Sequence, residues 1–280
     1  MTLVLPSTTP VHPRQTLARL CGHLAIAVWL LMGVGCATRV MNAGLACPDW
    51  PLCYGHWLPL AQMNLQVFLE WFHRLDAALV GLGLLGLTGL SWWWRSQLPR
   101  GLPGLATVAL LLVVVQAGLG ALTVTQLLRF DIVTAHLGTA LLLFTLLVGL
   151  RRALSGPILA VDPLAAVTSL AIYAQCLLGG LTGSRWALHQ CLGGDRLCAV
   201  LSSHLWTVVP VSLLVLLLAW KQKDLRLVAL LGLQLLLGWG MFRWHLQIEP
   251  LTVAHQMTAS LLLALGLHHS LPVSQPEVAG

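Results

Sequence analysis

The feature that most constrains this chain is a series of apolar runs, each about 20 residues long, separated by polar connections. A helical run of that length covers a hydrocarbon layer of about 30 Å. Backbone groups left unpaired in lipid are costly, which restricts spanning segments to helices or closed barrels. The runs fall at 17–38, 71–94, 103–125, 132–154, 163–183, 200–220, 225–245 and 251–270, so eight spans are expected. Only 9% of residues are charged, against about 25% in soluble domains. The alternation expected of barrel strands is absent. The fold class is therefore an all-α polytopic membrane protein, with the lipid bilayer as its first partner.

The net charge of +6 would suggest nucleic acid on a soluble chain. Here the basic residues lie between apolar runs, where topology explains them and no nucleic-acid partner is needed. Nine lie on the side of the N-terminus (Arg14, Arg19, Arg95, Arg100, Arg151, Arg152, Lys221, Lys223 and Arg226). Six lie on the opposite side (Arg39, Arg74, Arg129, Arg185, Arg196 and Arg243). The bias places both termini in the cytoplasm. The start lacks the short apolar core and cleavage site of a signal peptide, so Leu17 onward reads as a retained first span.

A repeat divides the chain. Gln116-Ala-Gly-Leu-Gly-Ala-Leu-Thr123 resembles Gln175-Cys-Leu-Leu-Gly-Gly-Leu-Thr182, and Gln234-Leu-Leu-Leu-Gly238 is a weaker copy. Each precedes an outer loop and then a histidine that opens the next span: His136, His204 and His255. His136-Leu-Gly-Thr-Ala140 matches His255-Gln-Met-Thr-Ala259, while His204-Leu-Trp-Thr207 and His73-Arg-Leu-Asp-Ala77 are looser versions. The unit is a helical hairpin with a histidine near the outer start of its second helix. The two longest loops, Arg39–Leu69 and 184–199, recur in the first and third hairpins. Two pseudo-symmetric four-helix bundles are expected, over 1–155 and 156–280, with a break near Ser155-Gly156-Pro157.

Ionisable residues at membrane depth are costly and tend to be functional. Two imidazoles facing across a four-helix bundle suit axial ligation of a haem iron. Gly118, Gly120, Gly179, Gly180 and Gly238 are candidates for opening room for a flat macrocycle. Glu70 breaks the symmetry: three residues before the other histidines stand Val133, Leu201 and Thr252. One carboxylate for two sites suggests chemistry in the first half and a retained cofactor in the second. A helix-start glutamate favoured by the macrodipole is the competing reading. Cys47 with Cys53, and Cys191 with Cys198, lie in loops expected to face outward. Short disulfides suit an oxidising compartment, and zinc is the alternative, although neither pair has the usual ligand spacing. Cys21, Cys36 and Cys176 fall inside apolar runs and read as packing residues.

The chain resembles the haem A synthase family at Thr38-Arg39 and Gly44-Leu45-Ala46-Cys47-Pro48-Asp49-Trp50-Pro51-Leu52-Cys53-Tyr54-Gly55. Glu70-x-x-His73-Arg74, His136, His204 and His255 complete the pattern. The resemblance implies oxidation of a porphyrin methyl group of haem O to a formyl group, giving haem A for terminal oxidases. It implies substrate haem O between His73 and His136, haem b between His204 and His255, and a catalytic Glu70. It pairs Cys47 with Cys53 and Cys191 with Cys198 as disulfides. Glu70 would take a proton or stabilise positive charge while the haem carries the oxidation. The partners implied are a haem O synthase, the terminal oxidase assembly apparatus, an unidentified electron acceptor and a second copy of the chain. The location implied is a bacterial plasma membrane.

Three rivals explain less. A two-haem electron carrier of the cytochrome b type leaves Glu70 and the cysteine loops unassigned. A membrane thiol oxidoreductase leaves the histidines unassigned, and Cys-x-x-Cys is missing. A transporter would favour inverted repeats, whereas each half here contains an even number of spans.

Overall fold

The computed structural model describes residues 12–182, 196–244 and 248–274. Eight α-helices form among the described residues: α1 (Pro13–Val40), α2 (Leu65–Trp93), α3 (Leu102–Thr125), α4 (Phe130–Ser155), α5 (Pro163–Thr182), α6 (Arg196–Gln222), α7 (Leu225–Arg243) and α8 (Glu249–Ser270). All eight are long and apolar enough to cross a membrane. Prolines in the first turns of α1, α3 and α8 begin those helices without wasting a donor.

The starts follow local chemistry more than hydropathy. α2 begins at Leu65, six residues before the expected 71, because the Asn64 side chain accepts a hydrogen bond from the Val67 amide at 3.0 Å. The extra turn buries Val67 beside Cys47 and Cys53. Glu70 therefore lies in the second turn, past the reach of the helix dipole, and the helix-start reading of it falls. At the other end of the molecule Asp162 accepts from the Leu164 and Ala165 amides and pairs with Lys221 at 2.7 Å. Asp224 accepts from the Arg226 amide and pairs with Arg226 and His269 at 2.8 Å.

Helices α1, α2, α3 and α4 form a closed ring of neighbours, and α5, α6, α7 and α8 form a second. The rings meet where α1 packs on α8 and α4 packs on α5 and α8. Small residues set the closeness of that seam, as in membrane interfaces generally. A Cβ on Gly180 would come within 2.8 Å of Leu137, and one on Gly138 within 3.0 Å of Leu177. The Tyr173 hydroxyl donates to the Gly138 carbonyl at 3.2 Å, and the Trp29 indole to the Met257 carbonyl at 3.2 Å. Gly180 thus seats a leucine of the neighbouring ring; it does not open room for a macrocycle. The connection between the rings is tied to the segment after α8, with the Leu159 amide bonding Pro272 and the Ser274 amide bonding Pro157.

Candidate functional site: paired histidines beneath a clamped loop

Each of the four repeating histidines rests against a glycine of the preceding helix. A Cβ on Gly35 would lie 2.8 Å from Cε1 of His73, and on Gly120, Gly179 and Gly238 it would lie 3.5, 3.0 and 3.2 Å from Cε1 of His136, His204 and His255. The last three glycines stand one turn beyond Gln116, Gln175 and Gln234. Those glutamines tie the hairpins together. Gln116 accepts from the Thr139 hydroxyl. Gln175 accepts from Thr207 at 2.6 Å and donates to the His204 carbonyl at 2.8 Å. Gln234 Nε2 meets His255 Nε2 at 3.0 Å. The repeat therefore encodes a seat for an imidazole: a glutamine to join two helices and a glycine to let the ring lie against the backbone. Gly118 faces open space. Gly35 escaped the sequence reading because Leu31 stands where the other copies have glutamine.

In the first ring of helices, His73 and His136 face each other across a cavity of about 590 Å³. Their ring centroids are 6.5 Å apart and their planes 75° from parallel. Two metal–nitrogen bonds of about 2 Å each, with the ring radii added, span about that separation. Nδ1 is buried and without a hydrogen-bond partner in His73, His136, His204 and His255 alike. Buried polar atoms of this kind call for a missing partner. No cluster of three metal-ligating side chains occurs among the described residues. Two imidazoles alone hold a metal poorly. They suffice when a planar tetradentate ligand fills the remaining positions.

Over this cavity lies the cysteine loop. Cys47 and Cys53 are joined by a disulfide with Cα atoms 4.7 Å apart, as the resemblance implied and within the usual range for a bridge. The Cys191–Cys198 pairing falls outside the described residues. Asp49 accepts from the Tyr54 amide at 2.6 Å and the Gly55 amide at 2.7 Å, closing the loop on itself. The Gly55 bond chiefly, with that from Tyr54, holds the Asp49 carboxyl below the usual carboxylate range. Trp50, Pro51, Leu52 and Cys53 line the cavity mouth.

Glu70 and Arg74, one turn apart on α2, clamp that loop to the helix. Glu70 is only 4% exposed. Its Oε2 accepts from the Cys47 amide at 2.8 Å, and its Oε1 accepts from Arg74 Nη2 at 2.5 Å. Arg74 Nη1 donates to the Asp49 carbonyl at 2.6 Å and to the Leu52 carbonyl. Both side chains also line the cavity, as do His73 and His136. The sequence placed Glu70 and His73 on one face. It gave no sign that Arg74 is the hub, because its acceptors are mostly backbone carbonyls.

These features define a class: a helical membrane protein whose hairpins present half-buried histidines, two of them facing each other across a ligand-sized cavity lined by a disulfide loop. The family model described as COX15-CtaA, cytochrome oxidase assembly protein, matches residues 18–201, and the chain belongs to that family. The matched span holds His73, His136 and the Cys47–Cys53 loop and ends before His204. Over 186 residues the chain is 34% identical to a heme A synthase of Shewanella oneidensis, covering 58% of this chain and 55% of that protein. Over 235 residues it is 30% identical to a heme A synthase of Sphingopyxis alaskensis, covering 65% of each. A 99-residue stretch is 38% identical to a protoheme IX farnesyltransferase of Halobacterium salinarum, covering 35% of this chain and 21% of that protein. The chain thus spans about half to two thirds of the length of these heme A synthases.

Proposed function

We propose that this chain is a haem A synthase, oxidising a porphyrin methyl group of haem O to a formyl group to give haem A for terminal oxidases. Family membership and similarity to proteins called heme A synthase support the reading. The observation that carries it is one cavity in which two facing imidazoles and a buried carboxylate line the same space. In this reading residues 1–155 form the substrate half, with haem O between His73 and His136. Residues 156–280 form the cofactor half.

In this reading a haem b belongs to the second histidine pair, and two features support it. Nδ1 of His204 and of His255 is buried and unpartnered, and Gly179 and Gly238 give the clearance their rings need. A haem held there supplies reversible one-electron transfer. The chain's own residues do the rest. His73 and His136 hold the substrate in the cavity. The disulfide-closed loop lines the cavity and shields it from bulk solvent. The Cys47 amide and Arg74 fix the Glu70 carboxylate in place. Each of its oxygens retains acceptor capacity, so Glu70 takes a proton from the reacting carbon or offsets positive charge that develops there. Turning the methyl into a formyl takes up one oxygen atom from water and releases four protons and four electrons, and the electrons leave to an acceptor not yet identified. A haem O synthase and the terminal oxidase assembly apparatus are the partners this chemistry calls for, and a second copy of the chain is a further candidate. The surplus of basic residues on the side of the N-terminus supports cytoplasmic termini in a bacterial plasma membrane.

Glu70→Gln tests the assignment. The variant keeps shape and removes the charge. It is expected to bind haem in both halves while haem A production falls by about a hundredfold or more, the scale of a lost acid–base group. Normal haem A from this variant would reduce Glu70 to a clamp for the loop.

A further inference from the structure

The first cavity holds two arginines and one carboxylate, and the bonding between them is uneven. Arg74 has its donors committed to Glu70 and to loop carbonyls. Arg39 lines the same cavity. Its Nε is buried without a hydrogen-bond partner. No carboxylate lies within ion-pair distance of it among the described residues. Arg39 is half-buried, and its neighbour Cys36, a free buried thiol on the same helix, bonds its side chain but as a neutral group does not balance its charge. A cation set into an apolar pocket is costly unless something pairs with it. This arrangement asks for an anion from outside the chain.

The position of Arg39 narrows the anion. Arg39 stands one turn after Gly35, the residue against which His73 rests. At about 1.5 Å of rise per residue, that puts it about 6 Å further along α1, on the same face and toward the loop. A ligand reaching Arg39 from the histidine axis is therefore broad and apolar with a carboxylate at its edge. The porphyrin of the reading above has that form, since its propionates lie along one edge. Two axial imidazoles hold a macrocycle's centre but leave its rotation about their axis free. One charged anchor at the rim removes that freedom.

We propose that Arg39 is the carboxylate anchor of the first cavity. It pairs with a propionate of the porphyrin held by His73 and His136, and so decides which edge of the ring meets Glu70. This rests on the assignment of the cavity to a porphyrin. Arg39 is then a specificity-determining residue, and the arginine that has no carboxylate partner takes the substrate while Arg74 holds the loop.

The test uses the full-length protein in lipid nanodiscs, titrated with protohaem or with its dimethyl ester, in which both propionates are masked. The first site is read as the absorbance change that His73→Ala abolishes. The unmodified protein is expected to bind the free acid about ten- to a hundredfold more tightly than the ester, the scale of a hydrogen bond to a charged group. Arg39→Gln is expected to bring the two within about twofold, with the His73-dependent spectrum retained. Arg39→Lys, which keeps the charge, is expected to keep much of the preference. An Arg39→Gln protein that still prefers the free acid as strongly as the unmodified one would overturn the proposal. Absence of any His73-dependent spectrum in the unmodified protein would overturn the porphyrin assignment, and the anchor with it.

Discussion

Arg74→Gln should undock the cysteine loop without opening it. The disulfide still joins Cys47 to Cys53, and Asp49 still caps Tyr54 and Gly55, so the loop keeps its internal shape. What it loses is attachment to α2. Arg74 supplies one charge-assisted bond to Glu70, two bonds to the Asp49 and Leu52 carbonyls and a long one of 3.5 Å to the Cys47 carbonyl. Charge-assisted bonds contribute about 1.5–3 kcal/mol and neutral acceptors about 1 kcal/mol each. The two side chains are 15% and 5% exposed, so solvent screens the pair only in part. Glutamine restores one of these contacts at most, leaving a loss of about 3 kcal/mol in docking. At 1.4 kcal/mol per decade, the undocked population rises about a hundredfold. Hydrogen–deuterium exchange of a peptide covering residues 45–56 reads this directly, with a peptide from α3 as internal reference. Exchange about a hundredfold faster at the Cys47 amide is expected. An unchanged rate would refute the clamp, since that amide's protection is attributed to Glu70 held by Arg74.

Two further outcomes follow from the packing and the charges. Gly35→Ala places a methyl 2.8 Å from the His73 ring and should weaken the His73-dependent haem spectrum, whereas Gly86→Ala, with open space around it, should leave it unchanged. Asp224 is held below the usual carboxylate range by Arg226 first and then His269. Its contribution to stability is fully present above the ordinary value of about 4 and is lost as pH falls through the lowered one. Thermal unfolding of the solubilised protein and of Asp224→Asn should therefore differ at about pH 5 and converge in stronger acid as the carboxylate is protonated.

Much of the fold was legible because lipid leaves the backbone few choices. Eight apolar runs became eight helices, and several of the observed bounds lie within a few residues of the expected ones. The start of α2 was not legible from hydropathy, since Asn64 and the buried Val67 act through one side-chain cap and one loop contact. At the site, the histidine repeat was visible as sequence, but the use of its glycines was not. Clearance between Gly179 and the His204 ring depends on how closely α5 and α6 approach, which no periodicity encodes. Glu70 was conspicuous because it broke the repeat. Its bond to the Cys47 amide, and the role of Arg74 behind it, emerged only from the folded loop.

The central claim is that this chain makes haem A. Expressing it in a membrane supplied with haem O and resolving the extracted pigments by chromatography and mass spectrometry tests that claim most directly. The account predicts a porphyrin bearing a formyl group where haem O has a methyl, absent when the chain is withheld and nearly absent with Glu70→Gln. Haem O recovered unchanged, from protein that still carries haem bound through His73 and through His204, would contradict it and leave a two-haem electron carrier in its place.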